Sequence, residues 1–346
     1  MRQQIAQLKA ANESLSHRVA RAKGTLAPRL PAPPMQVTNP PSALATEDLQ
    51  PTNRIARLID KEPKLTPEQV KSYLQANGRN ASSLLAAYRT SGDKALLEEA
   101  MEKYPNDPQV DFEAVFDKDL SPEQQRQWLN TFEQSAPNNA LANYLSALNY
   151  FNAGQTDLAV QELIAASSKP QFQDYTANSV QDNEEVYLAA GYSAAEAKAL
   201  AFLPTTLQPE LLGLKQLGQD LVGLANSYQQ TGDQDSSQAA LQMAMNLGQQ
   251  ASTGTLMIDQ DLGRKIEQNA LSAMNPKDPY GDNGQTVQYQ INQLTQQRAA
   301  SHELDALADP LMEAMSDQDW VSFTDRMQAF GEQAAFQWLV NKHGQN

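Results

Sequence analysis

Apolar side chains recur at helical spacing between residues 138 and 166, in the stretch NNALANYLSALNYFNAGQTDLAVQELIAA. Leu141, Leu145 and Leu148 fall at i, i+4 and i+7, which is the period of one face of an α-helix. Gly154 interrupts this stripe, and a glycine just past a helix adopts positive φ at little cost. A second apolar stripe then begins. The stretch therefore predicts a helical hairpin that turns at Gly154.

The same hairpin pattern occurs three times along the chain. Each copy has a tyrosine four residues before a glycine, an aspartate within the next three residues, and then another apolar-periodic segment. Such internal self-similarity is the sequence signature of a repeat architecture. The copies are centred on Tyr88 and Gly92, Tyr150 and Gly154, and Tyr228 and Gly232.

With these repeats the chain resembles the tetratricopeptide family of helical repeat proteins. In the Gly154 copy, small and aromatic residues stand at the family's packing positions, namely Ala147, Tyr150, Ala159, Leu163 and Ala166. The Gly232 copy has Ser237 where alanine is usual, and the Gly92 copy has a short second helix. The resemblance implies an all-α fold, an α-α superhelix of the tetratricopeptide type.

The pattern divides the chain into four parts. Residues 1–26 predict a short coiled-coil helix, and the proline-rich residues 27–53 predict an extended linker. Residues 54–275 predict the repeat domain, in which residues 175–203 form a further, diverged unit. Residues 276–346 predict a C-terminal helical cap made of two long helices, Val287–Met315 and Asp319–Val340.

Several local signals predict where helices begin and how they pack. Thr66-Pro67, Ser121-Pro122 and Ser193 each place a capping residue at a helix start. The aromatic residues between 112 and 132 recur at helical spacing and predict core. Glycines in the helix around residues 211–226 predict close packing by a neighbour, because an exposed glycine costs a helix about 1 kcal/mol. These glycines are Gly213, Gly218 and Gly223.

The N-terminal segment combines a heptad pattern with positive charge. Ile5, Asn12 and Val19 occupy the a positions, and a single asparagine at a favours a parallel two-stranded coil. A parallel homodimer through this coil would be weak, because it has about three heptads and places Arg18 opposite Lys23 of the second copy. Residues 1–29 carry six Lys or Arg against one Glu, a net charge of +5.

A short basic coil followed by a spacer is also typical of a segment next to a membrane anchor. We therefore hypothesise an upstream anchor that would tether the protein to a membrane, with the side of the membrane left open. Without such an anchor, the expected location is the cytoplasm and the expected state is soluble, because no run in the sequence approaches the roughly 18 apolar residues that span a bilayer.

Composition and charge limit the function further. The total charge is −15, so the chain beyond residue 29 carries −20, and an acidic body repels phosphate backbones. We expect no nucleic-acid binding. The absence of cysteine removes thiol nucleophiles and thiolate metal sites. The histidines, His17, His302 and His343, pair with no motif for metal or catalysis. We predict no catalytic residues, no cofactor and no metal.

The expected function is that of a protein-interaction scaffold, which binds a partner peptide or helix in a concave groove. An enzyme with a site assembled only in three dimensions, and a purely structural spacer, are the alternatives. By the tetratricopeptide resemblance, the groove residues would come from the first helix of each unit. They are Arg89, with Ala86, in the first copy; Tyr144, Leu148, Phe151 and Asn152 in the second; and Asn226, Gln229 and Gln230 in the third.

Overall fold

A computed structural model of the protein describes residues 54–202, 208–281 and 284–344. Within these ranges the chain forms sixteen helices and one two-stranded β-hairpin, so the all-α class is confirmed. In chain order the elements are α1 (Arg54–Asp60), α2 (Pro67–Asn77), α3 (Ala81–Ser91), α4 (Lys94–Lys103), α5 (Pro108–Val115), α6 (Pro122–Ser135), α7 (Ala140–Asn152), α8 (Thr156–Ser167), α9 (Thr176–Ala189), α10 (Ala194–Ala201), α11 (Pro209–Gln230), α12 (Gln234–Ala251), α13 (Met257–Ser272), β1 (Pro279–Tyr280), β2 (Gln285–Thr286), α14 (Val287–Met312), α15 (Asp317–Phe330) and α16 (Glu332–His343).

The three repeated glycines form the turns that the sequence predicts. Gly92, Gly154 and Gly232 have φ of 76°, 70° and 78°, in the left-handed region that favours glycine. They join α3 to α4, α7 to α8 and α11 to α12. The three copies are therefore helical hairpins.

The predicted capping residues also stand at helix starts. Thr66 and Gln69 exchange hydrogen bonds between side chain and backbone at the start of α2, where Pro67 occupies the first helical position. The same reciprocal pair caps α6 at Ser121 and α10 at Ser193. Each pair satisfies two backbone N–H groups that a helix end leaves without a partner.

Most hairpins pack in the order of the sequence. The first three hairpins in the chain are α3–α4, α5–α6 and α7–α8. α4 packs on α5, and α6 packs on α7, which places these three hairpins side by side. The α11–α12 hairpin is the fourth of this row, because α11 packs on α7 and α12 packs on α8. α13 then packs on α12, and α14 on α13.

The α9–α10 hairpin departs from this order. In sequence it lies between the α7–α8 and α11–α12 hairpins. In the structure, however, α9 packs on α2 and α3, and α10 packs on α1 and α15. Val186 and Tyr187 of α9 share an apolar cluster with Leu84 and Leu85 of α3. Residues 175–203 thus contain the expected helix pair, and this hairpin packs back against the start of the row of hairpins, where its apolar face is buried.

The predicted aromatic core is confirmed. Phe112 and Phe132 are buried, and the Phe112 ring centroid lies 5.8 Å from that of Phe132 and 5.7 Å from that of Tyr175. Trp128 is half-buried against the same cluster. Tyr175 precedes α9, so this cluster also fixes the chain where it turns back.

Two of the three glycines of α11 lie at close approaches. A Cβ atom at Gly213 would lie 2.9 Å from a methyl group of Leu148, and one at Gly218 would lie 2.9 Å from Ile266. Gly223 has no such neighbour within 4 Å. Close packing therefore explains the first two glycines and leaves Gly223 on an open face.

The C-terminal part contains three helices where the sequence predicts two. Gly331 has φ of 86° and separates α15 from α16. The backbone N–H of Glu332 donates to the carbonyl oxygen of Thr255, and the Glu332 carboxylate accepts from the N–H of Met257 at 2.6 Å. These contacts tie the start of α16 to the loop before α13. The prediction of one long helix over Asp319–Val340 was therefore wrong, because two helices, α15 and α16, meet at Gly331.

The expected coil (1–26) and linker (27–53) lie outside the described residues. Among the described residues, no helix combines the length and the apolar character that crossing a bilayer requires.

Candidate functional site

Arg89, the expected groove residue of the first copy, is engaged inside the protein. Its side chain is only 7% exposed and forms an ion pair with Glu113 of α5. α9 packs against the helix that carries Arg89. Burial raises the pKa of the Asp182 carboxyl on α9, and the positive charge of Arg89 acts in the opposite direction. At this end, the surface that the resemblance assigns to a partner faces the protein's own α9.

Tyr144 and Leu148 also belong to the packing of the protein. Tyr144 is 1% exposed, lies against Phe172 with ring centroids 6.3 Å apart, and burial raises the pKa of its hydroxyl above the usual range. Leu148 is half-buried and lies over Gly213. Tyr144 is therefore enclosed by its neighbours, whereas Leu148 keeps part of its surface exposed beside α11.

The remaining residues of α7 border an open cleft. Phe151 is half-buried and Asn152 is exposed, and both face α11 across a space of about 360 Å³. We call this space the α7/α11 cleft. Its lining consists of Phe151, Asn152, Thr156, Gln216, Gln219, Asp220, Gly223 and Leu224.

The α11 side of the cleft was not expected from the sequence. Gln216, Gln219 and Gly223 share one face of α11, and Leu212, four residues before Gln216, continues this face with a side chain that is 74% exposed. The one sequence feature that could have indicated this face is Gly223, a helical glycine whose Cβ position has no neighbouring atom within 4 Å. Asn226, Gln229 and Gln230 are exposed farther along α11 and lie outside the lining.

The helices around the cleft carry an acidic surface. Residues 127–168 and 216–263 contain no Lys, Arg or His. Burial, and then the carboxylates of Asp157 and Asp233, raise the pKa of Tyr228 near the end of α11. Lys215, which is exposed on α11, is the single basic residue of α11 and α12. The acids in the two stretches are Glu133, Asp157, Glu162, Asp220, Asp233, Asp235, Asp259 and Asp261.

A second group of acids is buried near the start of α11 and α13. Burial raises the pKa of Glu210 to about 8 and that of Asp259 to about 7, and the negative charge of Asp174 contributes to both shifts. Asp259 accepts a hydrogen bond from the backbone N–H of Leu256, which caps α13.

The next question is whether histidines or metal ligands accompany these acids. His302 is 65% exposed beside Asp261, at 3.4 Å, and His343 lies 3.5 Å from Asp319, which also binds Lys342. In the part of the chain that the structure describes, no group of three or more His, Asp or Glu residues is placed to hold a metal ion. Among the described residues, the α7/α11 cleft is an open surface that presents one aromatic ring among amide groups.

The burial of Tyr144 gives a stability prediction. Its hydroxyl is buried without a hydrogen-bond partner among the described residues. We expect Tyr144→Phe to leave the free energy of unfolding unchanged or to raise it by up to about 1 kcal/mol, because a buried unsatisfied hydroxyl is itself destabilising. Urea unfolding followed by circular dichroism measures the difference. A loss of more than about 1 kcal/mol would show that the hydroxyl has a partner.

Comparison with known proteins gives no relative for this chain: no family model, no curated protein and no solved structure matches it.

Proposed function

We propose that the protein is a tetratricopeptide-like interaction scaffold that binds a helix or peptide of a partner protein in the α7/α11 cleft. The observation that carries the proposal is the cleft itself, an open space between the first helices of two repeat hairpins. The three Tyr-x-x-x-Gly hairpins with left-handed glycines support the tetratricopeptide-like architecture. The return of α9–α10 to the start of the array is a departure from that pattern.

The lining indicates how a peptide would be held. Phe151 is a half-buried ring that offers an apolar anchor, and aromatic anchors dominate the affinity of many protein interfaces. Gln216, Gln219 and Asn152 supply donors and acceptors for the polar groups of a peptide. An amphipathic helix laid in a cleft between two helices is an established recognition mode. The acidic surroundings favour a basic partner.

The test is selection of a random peptide library on the full-length protein. We expect enriched peptides to combine Lys or Arg with apolar residues at helical spacing. Phe151→Ala should raise the dissociation constant of a selected peptide about 30-fold, which corresponds to the roughly 2 kcal/mol of an aromatic anchor. Titration of labelled peptide by fluorescence anisotropy measures this.

Two further variants make the test specific for the cleft. Gln219→Arg places a positive charge in the lining and should weaken a basic peptide about tenfold while leaving the melting temperature unchanged. Gln238→Arg adds the same charge at an exposed position of α12 outside the lining and should have little effect. Equal binding by all three variants and the original chain would contradict the proposal.

A further inference from the structure

The chain itself contains a segment with the properties of the occupant that the cleft favours. Residues 1–29 have a net charge of +5, whereas residues 127–168 and 216–263, which include all the residues that line the cleft, contain no Lys, Arg or His. Opposite charges of this kind attract over about 10 Å at moderate salt. Charge complementarity therefore exists between the N-terminal segment and the acidic surface around the α7/α11 cleft.

The N-terminal segment also has an apolar face of suitable length. Its sequence predicts a helix in which Ile5, Leu8, Leu15 and Val19 lie along one side. Leu8 and Leu15 would be about 10 Å apart on that side, because a helix rises 1.5 Å per residue. The exposed Leu212 and the half-buried Phe151 offer apolar contacts of the same kind at the cleft.

The linker is long enough for this segment to reach the cleft within one molecule. Residues 27–53 form about 27 residues of proline-rich chain, which extend to roughly 80 Å at 3.1 Å per residue. A folded body of about 290 residues is only roughly 50 Å across, from the usual scaling of radius of gyration with length. The extended linker is therefore longer than the width of a compact body of this size.

We propose that residues 1–26 of this chain bind in the α7/α11 cleft of the same molecule and that a partner helix must displace them. The inference rests on the proposed function, since it names a regulator of the same site. A tethered segment acts at an effective concentration of about 1 mM, so an intrinsic dissociation constant of about 100 µM suffices for roughly 90% occupancy. The segment acts as an internal competitor.

Binding in the cleft also resolves the conflict within the predicted coil. In a parallel homodimer Arg18 faces Lys23 of the second copy, and these like charges oppose association. In the cleft the same charges would face Asp157 of α8, Asp220 of α11 and Asp233, which caps α12. Lys215 is the basic residue that opposes binding at the start of α11.

The test is a distance measurement between two spin labels in the full-length protein. The chain contains no cysteine, so Ala10→Cys and Gln229→Cys provide two unique labelling sites. Ala10 lies opposite the apolar face in the heptad pattern, and Gln229 is exposed on α11, five residues past Leu224 of the lining. We expect a narrow distribution centred below roughly 30 Å, since a helix of 26 residues is only about 39 Å long.

Matched variants and conditions identify the cause of that distance. Leu8→Asp with Leu15→Asp should broaden the distribution, whereas Ala6→Asp with Ser14→Asp, outside the apolar face, should retain the narrow component. Raising the salt from about 50 mM to about 500 mM should also broaden it, because the attraction is screened. Tenfold dilution with unlabelled protein should change nothing. A short distance that disappears on dilution would overturn binding within one molecule.

The outcomes separate this inference from the proposed function. A distribution that is broad from the start, together with a library peptide that still binds and is weakened by Phe151→Ala, overturns the inference and leaves the function in place. A broad distribution with no cleft-dependent peptide overturns both. If the narrow component is present, the selected peptide should remove it, and Leu8→Asp with Leu15→Asp should tighten that peptide about tenfold.

Discussion

Replacing Gly263 with alanine is expected to lower the free energy of unfolding by about 3 kcal/mol, the upper end of the cost of overpacking. Gly263 of α13 lies against Gly248 of α12, and a Cβ atom there would come closer than 3.0 Å to Gly248 O and to the backbone nitrogen of Ser252. Both are backbone atoms, so no side chain can rotate away. α12 and α13 would have to separate. Urea unfolding measures the loss.

Gly223→Ala is the matched control for this prediction. Gly223 is also a helical glycine, but a Cβ atom there would meet nothing within 4 Å. The substitution should raise the free energy of unfolding by up to about 1 kcal/mol through helix propensity. Equal effects of Gly263→Ala and Gly223→Ala would contradict the close packing of α12 against α13.

The protein should be less stable at pH 8 than at about pH 5.5, by at least about 2 kcal/mol. Burial raises the pKa of Asp111 and Asp259 to about 7 and that of Glu210 to about 8. With raised pKa values, the folded state keeps protons that the unfolded state has already lost. The contribution of these three protonated carboxyls to the free energy of unfolding is therefore fully present below their unfolded pKa near 4. It is lost as the pH rises through 7 and 8. Urea unfolding across this range measures it.

Neutral variants show whether these carboxyls cause the dependence. Glu210→Gln together with Asp111→Asn and Asp259→Asn should flatten the change of stability between about pH 5.5 and pH 8. Glu98→Gln removes one charge from an exposed position of α4 and should leave the dependence intact. A dependence that survives the triple variant would trace to the net charge of −15, because protonation at lower pH also reduces the repulsion between the acidic groups.

The local part of the fold could be predicted from the sequence, because its causes are local. Gly154 and Gly232 turn where the apolar stripe breaks, and Thr66 and Ser193 cap helices through partners three residues away. Gly331 was missed, since the apolar period continues on both sides of it. Gly331 ends α15 with a positive φ, and the N–H of the next residue, Glu332, donates to the carbonyl oxygen of Thr255, which is distant in sequence.

The candidate site could be predicted only in part. Helical periodicity gives the face of α7 on which Tyr144, Leu148 and Phe151 lie, but it does not show which neighbour covers each residue. α11 packs on α7, and α9 packs on α3. These covering helices lie about 70 to 100 residues later in the chain than the helices that they cover. Phe151 and Asn152 remain at an open cleft because α11 leaves Gly223 opposite them.

The most direct test of the account is thiol protection in the α7/α11 cleft. Gln219→Cys introduces a single thiol into the lining, in a chain that also carries Leu8→Asp and Leu15→Asp so that its own N-terminal segment does not compete. A saturating library-selected peptide should slow alkylation of this thiol at least about tenfold and leave Gln238→Cys unaffected, because a bound helix excludes solvent from its contact area. Equal alkylation rates at Gln219→Cys with and without the peptide would contradict the account.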